Sequence, residues 1–237
     1  MKKLIVSLLF GIICSGAAST AFAAVEVTGD LYAGVYSKYV WRGFDLSQDD
    51  KVAVQSGADV SFGSLTVSWW GNLSENSGEL NEVDVVLDYS TDLGESLALS
   101  VGNILYNVDG LNDTNELYLG LGLNLLLSPT LTVYYDYDEF DTLYTTFGIS
   151  HDIELSDALG LSLGATGSYL IDDTDGFGTE DAWFHNLELS AAVDFAVTQQ
   201  VSVGASMLYS TPLSNDAKNY AGIREEFTGG AAVTLSF

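Results

Sequence analysis

From Val25 to the end of the chain, apolar and polar residues alternate one for one, in segments of about nine to twelve residues. Leu117, Leu119, Leu121, Leu123 and Leu125 are interleaved with Tyr118, Gly120, Gly122 and Asn124. Successive side chains of an extended strand point to opposite faces, so this period predicts strands with one greasy face and one small or polar face. Leu187, Leu189, Ala191, Val193 and Phe195 against Glu188, Ser190, Ala192 and Asp194 repeat the pattern, as do Val201, Val203, Ala205 and Met207 against Ser202, Gly204, Ser206 and Leu208. Twelve such segments begin near Val25, Val52, Leu65, Asn81, Leu97, Glu116, Leu131, Leu143, Leu161, Asn186, Val201 and Phe227.

The links between them alternate in character. Short ones (Gly63-Ser64, Leu127 to Pro129, Thr198 to Gln200) are interspersed with polar loops (Glu75 to Leu80, Asp172 to Trp183, Pro212 to Glu226). The segment length and the short-long rhythm are those of a transmembrane barrel. The reading is therefore all-β: a twelve-stranded antiparallel up-and-down transmembrane β-barrel, with a soluble sandwich as its rival.

The distribution of charge separates the two. The apolar face carries essentially no carboxylate, whereas the other holds Asp30, Asp59, Glu82, Asp84, Asp88, Glu116, Asp136, Asp138, Asp152, Glu154, Glu188 and Asp194. A basic residue facing lipid at the midplane costs on the order of 2 to 4 kcal/mol and an acid somewhat less, which gives the segregation a cause. Apolar-face aromatics gather toward strand ends: Tyr39, Trp41, Trp69, Tyr135, Tyr137, Tyr169 and Tyr209 by the long loops, and Phe62, Tyr89, Phe195 and Phe237 by the short turns. Two belts match two membrane interfaces, whereas a sandwich core would place aromatics mid-strand. The last strand ends in Phe237 with Leu235 and Val233 on its face, which resembles the terminal signal read by the outer-membrane barrel assembly machinery.

The start of the chain is set apart. Lys2 and Lys3, an apolar run from Leu4 to Ile13 and small residues up to Ala23 have the order of a secretory signal peptide, so residues 1–23 are expected to be removed and 24–237 to form the barrel. Cys14 falls inside the leader, leaving no cysteine for a disulfide; Ile13 before it argues against a lipidation signal. Beyond the leader no apolar run approaches the roughly 20 residues of a spanning helix.

Charge then narrows the partners. Loss of Lys2 and Lys3 leaves five of the seven basic residues against 33 acidic ones, which excludes nucleic acid and favours cations or basic solutes. With 47% hydrophobic residues and 13 tyrosines the chain is no acidic disordered tail.

The stretch Ser37-Lys38-Tyr39-Val40-Trp41-Arg42-Gly43-Phe44-Asp45-Leu46-Ser47-Gln48, followed by Ala53-Val54-Gln55-Ser56-Gly57-Ala58-Asp59-Val60, resembles the N-terminal hallmark of the TorF-type porin family of proteobacteria. That hallmark reads roughly Ser-x-Tyr-Val-aromatic-Arg-Gly, then a Gln and an Ala-Val-Gln strand. The match covers about the first 40 residues after the leader; the rest agrees in length and strand rhythm. The resemblance implies an outer-membrane barrel with a transport role and carries over no site residue.

Candidate pore-lining residues are the inward acids Asp30, Asp59, Asp84, Asp88, Glu116, Asp136, Glu188 and Asp194, and the inward aromatics Tyr32, Tyr36, Trp70, Tyr118 and Tyr134, with Tyr106 beside them. Carboxylates without matching bases would make a water-filled lumen negative and cation-preferring; otherwise they only solvate a plugged interior. The aromatics could form a sliding track or simply fill volume. Arg42 is expected to order its loop by pairing with Asp45, Asp49 or Asp50. The acidic loops Asp172 to Gly176 and Asn112 to Glu116 lack EF-hand spacing, so solvated loops are favoured over calcium sites or divalent bridges to lipopolysaccharide. His151 and His185 complete no nucleophile and base arrangement, so no enzyme, cofactor or metal is expected. The expected function is passive diffusion of small cations or neutral solutes across the outer membrane; the rival is a structural or surface-interaction barrel with a closed lumen.

Overall fold

The computed structural model describes residues 26–47, 52–73, 78–173 and 176–237. The expected leader, and Asp49, Asp50, Thr174 and Asp175 of the loops discussed above, lie outside the described residues. Twelve strands close into one antiparallel barrel. They are β1 (Val27–Tyr36), β4 (Ala53–Phe62), β5 (Leu65–Leu73), β6 (Leu80–Asp92), β7 (Leu97–Val108), β8 (Thr114–Leu123), β9 (Thr130–Asp136), β10 (Leu143–Ser156), β11 (Leu159–Ile171), β12 (Ala182–Ala196), β13 (Val201–Pro212) and β14 (Glu226–Ser236). Each pairs with its sequence neighbour, and β1 closes the ring on β14 from Asp30 opposite Ser236 to Tyr36 opposite Gly230. Backbone bonds of 2.9 Å run both ways between Gly29 and Phe237 at the seam. Full closure leaves no strand edge unpaired, as a hydrocarbon surround requires.

The parity of the sequence becomes two surfaces. Leu31, Val67, Leu87, Val101, Leu117, Leu119, Leu121, Leu189 and Val203 are exposed on the outside, which is an apolar band facing lipid and not a core shared by two sheets. A closed barrel with such an exterior is a bacterial outer-membrane protein. Tyr135 and Phe195 are exposed on that outer face toward the strand ends, as a membrane belt requires, whereas Trp69, also exposed there, stands at the middle of β5 and not at its loop end. Tyr39 and Trp41 are not part of it. Tyr39 is buried with its ring 5.4 Å from inward Trp70, and Trp41 packs edge-on at 5.9 Å from Tyr106. Asp138 is also outside the wall, since β9 ends at Asp136; its carboxylate accepts a bond from Asn115.

Two minor elements belong to the loops. The strands β2 (Val40–Trp41) and β3 (Phe44–Asp45) form a hairpin in the β1–β4 loop, and α1 (Asn215–Asn219) is a short turn of helix between β13 and β14. Both sit at the loop end of the barrel, opposite the end that carries the termini and the short turns. A compact apolar cluster of Tyr144, Leu170, Trp183, Ala217 and Ile223 forms there, with Phe44 and Phe177 packed against it.

Candidate functional site

The β2–β3 hairpin turns on two residues, Arg42 and Gly43, with φ of 49° and 83°. Positive φ at both central positions is the type I′ geometry, which matches strand twist and normally selects Asn or Gly. A left-handed arginine costs roughly 1 kcal/mol, so its side chain must compensate. The compensation lies on the far wall. Arg42 Nη1 and Nη2 each donate at 2.7 Å to the two carboxylate oxygens of Glu116 on β8, in the planar fork geometry that only arginine offers. The guanidinium carbon sits 4.2 Å from the ring centre of Tyr144, 4.8 Å from Tyr134 and 4.4 Å from Trp41. Tyr106 donates its hydroxyl to the same carboxylate at 2.9 Å. Arg42 thus pairs with Glu116 and not with Asp45, the one expected loop acid among the described residues; Asp45 instead accepts from Lys38 at 2.9 Å, and Lys38 also reaches Glu226 at 2.8 Å.

The backbone of the turn is anchored as firmly. The Trp183 indole donates to Nδ1 of His185 at 3.0 Å, so Nε2 carries the ring proton and gives it to the carbonyl of Arg42 at 3.0 Å. Gly43 faces Asn186, Ile223 and Ser210 so closely that a β-carbon there would stand 3.2 to 3.3 Å from them. Asn186 binds this floor together, accepting from Tyr144 and Ser168 and donating to Glu188 and Ser210. Phe44 stacks on Phe177 of the β11–β12 loop, with rings 6.0 Å apart and nearly parallel. Tyr39 donates to Glu82 at 3.1 Å. A hairpin rooted on β1 therefore touches β6, β8, β10 and β12, and so crosses the lumen at its loop end.

The remaining candidate residues lie at different heights and in different company. Glu116 and Tyr134 meet at Arg42. Tyr118 stands beside Tyr134 at 5.6 Å and donates to Asp88. Asp84 lies opposite Trp70 on the wall, with one buried carboxylate oxygen that has no hydrogen-bond partner. Asp30 and Asp59 are cross-strand neighbours, and Asp194 covers Gly204; all three are toward the end with the termini. Tyr32 and Tyr36 lie flat over Gly57 and Gly230. Two acids act as loop staples. Asp136 accepts from Thr114 and from the backbone of Asp138, Glu139 and Phe140, and buried Asp172 accepts from the backbone of Gly176, Phe177 and Thr179. Asp172 is thus held by its own loop backbone and is not solvated. Glu116 and Asn115 of the other acidic loop point to opposite faces. Among the described residues no group of three acids or histidines is placed to hold a metal. His151 lies on the outer face and bonds the Leu126 carbonyl.

Sequence reasoning missed Tyr144 and Asn186 and the inward placement of Trp41, and it weighed His185 only as a catalytic base and not as an anchor of the turn. The dipeptide Arg42-Gly43 between Val40-Trp41 and Phe44-Asp45 was the available signal, since two residues ending in Gly between strand formers mark a tight hairpin.

A family described as "Bacterial protein of unknown function (Gcw_chp)" matches residues 18–237. The chain belongs to this family. No curated protein matches it in sequence. Among solved structures it is similar to the KdgM porin, at a TM-score of 0.58 and 12% identity over 89% of this chain and 99% of that one; that porin is also described in complex with disordered oligogalacturonate. The NanC porin gives 0.56 and 12% over 87% and 98%, and an outer membrane channel from Pseudomonas putida F1 gives 0.51 and 9% over 93% and 100%. At such identities the likeness is one of fold.

Proposed function

We propose that this family member is a pore-forming protein of the outer membrane, through which small solutes diffuse passively with a preference for cations, and that it is not an enzyme. The observation that carries the reading is the imbalance of the wall. No barrel strand contains a Lys or Arg, while Asp30, Asp59, Asp84, Asp88, Asp152, Glu188 and Asp194 share the inner parity, and Glu116 already offsets the guanidinium of Arg42. Such a lumen concentrates cations and excludes anions. A cavity of about 330 Å³, bordered by Ser100, Gly120, Thr130 and Thr132, gives room for solute in the half nearer the termini. The porin fold and the TorF-like motif favour the same reading. The carboxylate wall would repel a polyanion such as oligogalacturonate, so the likeness to KdgM extends to the barrel and not to its cargo. Both ends of the barrel chain would face the periplasm, with Phe237 presented to the assembly machinery and the acidic loops to lipopolysaccharide.

The test is a planar bilayer under a salt gradient. Conductance steps with a cation-selective reversal potential are expected, and Asp59→Asn, Asp88→Asn and Asp194→Asn together should move that potential toward zero; an unmoved potential removes these acids from the mechanism. The hairpin across the loop end favours a second reading, a barrel kept closed for a structural or surface role. Silence at every voltage would support it.

A further inference from the structure

We propose that the seat of Arg42 is a solute site: Glu116, the Tyr106 hydroxyl and the rings of Tyr134 and Tyr144 form a guanidinium-selective pocket in the wall, which Arg42 fills from within the chain. This deepens the channel reading by naming a class of solute, but binding at the pocket does not depend on conduction.

The pocket is built by the wall and not by its occupant. Glu116, Tyr106, Tyr134 and Tyr144 come from four consecutive strands, β7 to β10, and each is held by bonds or ring contacts that do not involve the hairpin. Tyr106 donates to Glu116, Tyr134 packs between Tyr118 and Tyr144, and Tyr144 donates to Asn186 at 3.1 Å. The chemistry is selective in three ways. A carboxylate presenting both oxygens suits a planar fork of N–H donors, two aromatic faces suit a flat delocalised cation, and the low exposure of Glu116 favours a weakly hydrated ion over an ammonium. Arg42 satisfies all three, and does so from a backbone conformation that arginine disfavours. The side chain is therefore a tethered version of the ligand that the pocket recognises.

A free solute bearing a guanidinium competes with that tether. Short tethers act as an effective concentration on the order of millimolar, so competition begins near that level, and the acidic lumen raises the local concentration of cations above that of bulk solution. Once Arg42 is displaced, the hairpin loses its hold on β8 and stays tied through His185, Phe177 and Glu82, which couples arrival of the solute to a looser loop end.

Calorimetry on the folded, detergent-purified protein tests this, with methylguanidinium as probe and methylammonium as control. Arg42→Ala, which vacates the pocket, should bind methylguanidinium at least about tenfold more tightly than methylammonium, and adding Glu116→Gln should weaken that binding at least about tenfold, the worth of one charge-assisted bond. Equal binding of the two cations, or indifference to Glu116→Gln, overturns the site. Should Arg42→Ala fail to fold, Arg42→Lys keeps the charge but not the fork; methylguanidinium should then compete about tenfold better than against the natural arginine, and equal competition refutes the proposal. Binding in a protein that never conducts would defeat the channel reading alone, whereas selective conduction without binding would defeat the site alone.

Discussion

Glu116→Gln isolates the force that holds the hairpin across the lumen. The substitution preserves shape and one acceptor but removes the countercharge of a guanidinium whose side chain is only 14% exposed. Breaking a buried pair by removing one partner costs about 3 to 5 kcal/mol. One retained hydrogen bond to the glutamine carbonyl brings the expected loss to about 2 kcal/mol. Undocking also relieves the left-handed backbone at Arg42, while the His185 bond to the Arg42 carbonyl and the stack of Phe44 on Phe177, unchanged by the substitution, still resist it. A shift of about 2 kcal/mol multiplies the ratio of undocked to docked hairpin roughly thirtyfold. In single-channel recordings, brief openings to the larger conductance should be about thirty times as frequent as in the unmodified protein. If a folded Glu116→Gln barrel opens within twofold of the original frequency, the ion pair does not hold the hairpin and the account given for Arg42 fails.

Gly43→Ala should act in the same direction from the other side of the turn: a β-carbon at φ 83°, 3.2 Å from Asn186 and Ile223, loosens docking by about 1 kcal/mol or more, read as a severalfold rise in opening frequency. Asp172→Ala strips the acceptor from three backbone N–H groups and frees Phe177 from its stack on Phe44; the loop-end melting transition should fall by about 2 to 3 kcal/mol, measured by tryptophan fluorescence, with the barrel itself still resistant to detergent. Leu119→Arg puts a charge into the exposed mid-wall and should lower barrel stability by about 2 to 4 kcal/mol in reversible urea unfolding from lipid vesicles, whereas a cost near zero would mean that this face does not meet hydrocarbon.

The wall was legible because each strand meets two solvents and a period of two can hardly arise otherwise. The segment expected from Leu65 begins at Leu65, those from Leu97, Leu143 and Val201 likewise, and the others start within four residues of expectation. The hairpin was not legible for an equally physical reason. Aromatics at Tyr39 and Trp41 look the same in sequence whether they face acyl chains or the rings of Trp70 and Tyr106, since both surroundings are apolar. The partner of Arg42 is 74 residues away on a strand that the chain reaches only after the barrel curls round, so nearer acids in the loop outcompete it on paper. His185 bears on Arg42 through its backbone carbonyl, an atom that no side-chain pattern advertises.

Three inner tyrosines carry a further consequence. Tyr32 lies over Gly57, Tyr118 over Gly102 and Tyr36 over Gly230, each ring occupying the space where the neighbouring strand has no side chain. Folded against the wall like shutters, they contribute bulk to the staves of the barrel and hardly any to its bore. The calibre of the barrel is then set by glycines: one added methyl at Gly57 or Gly102 would tip a ring into the interior and narrow it by far more than the methyl's own volume. Drift at three inconspicuous positions would reshape the bore while every acid on the wall stays in place.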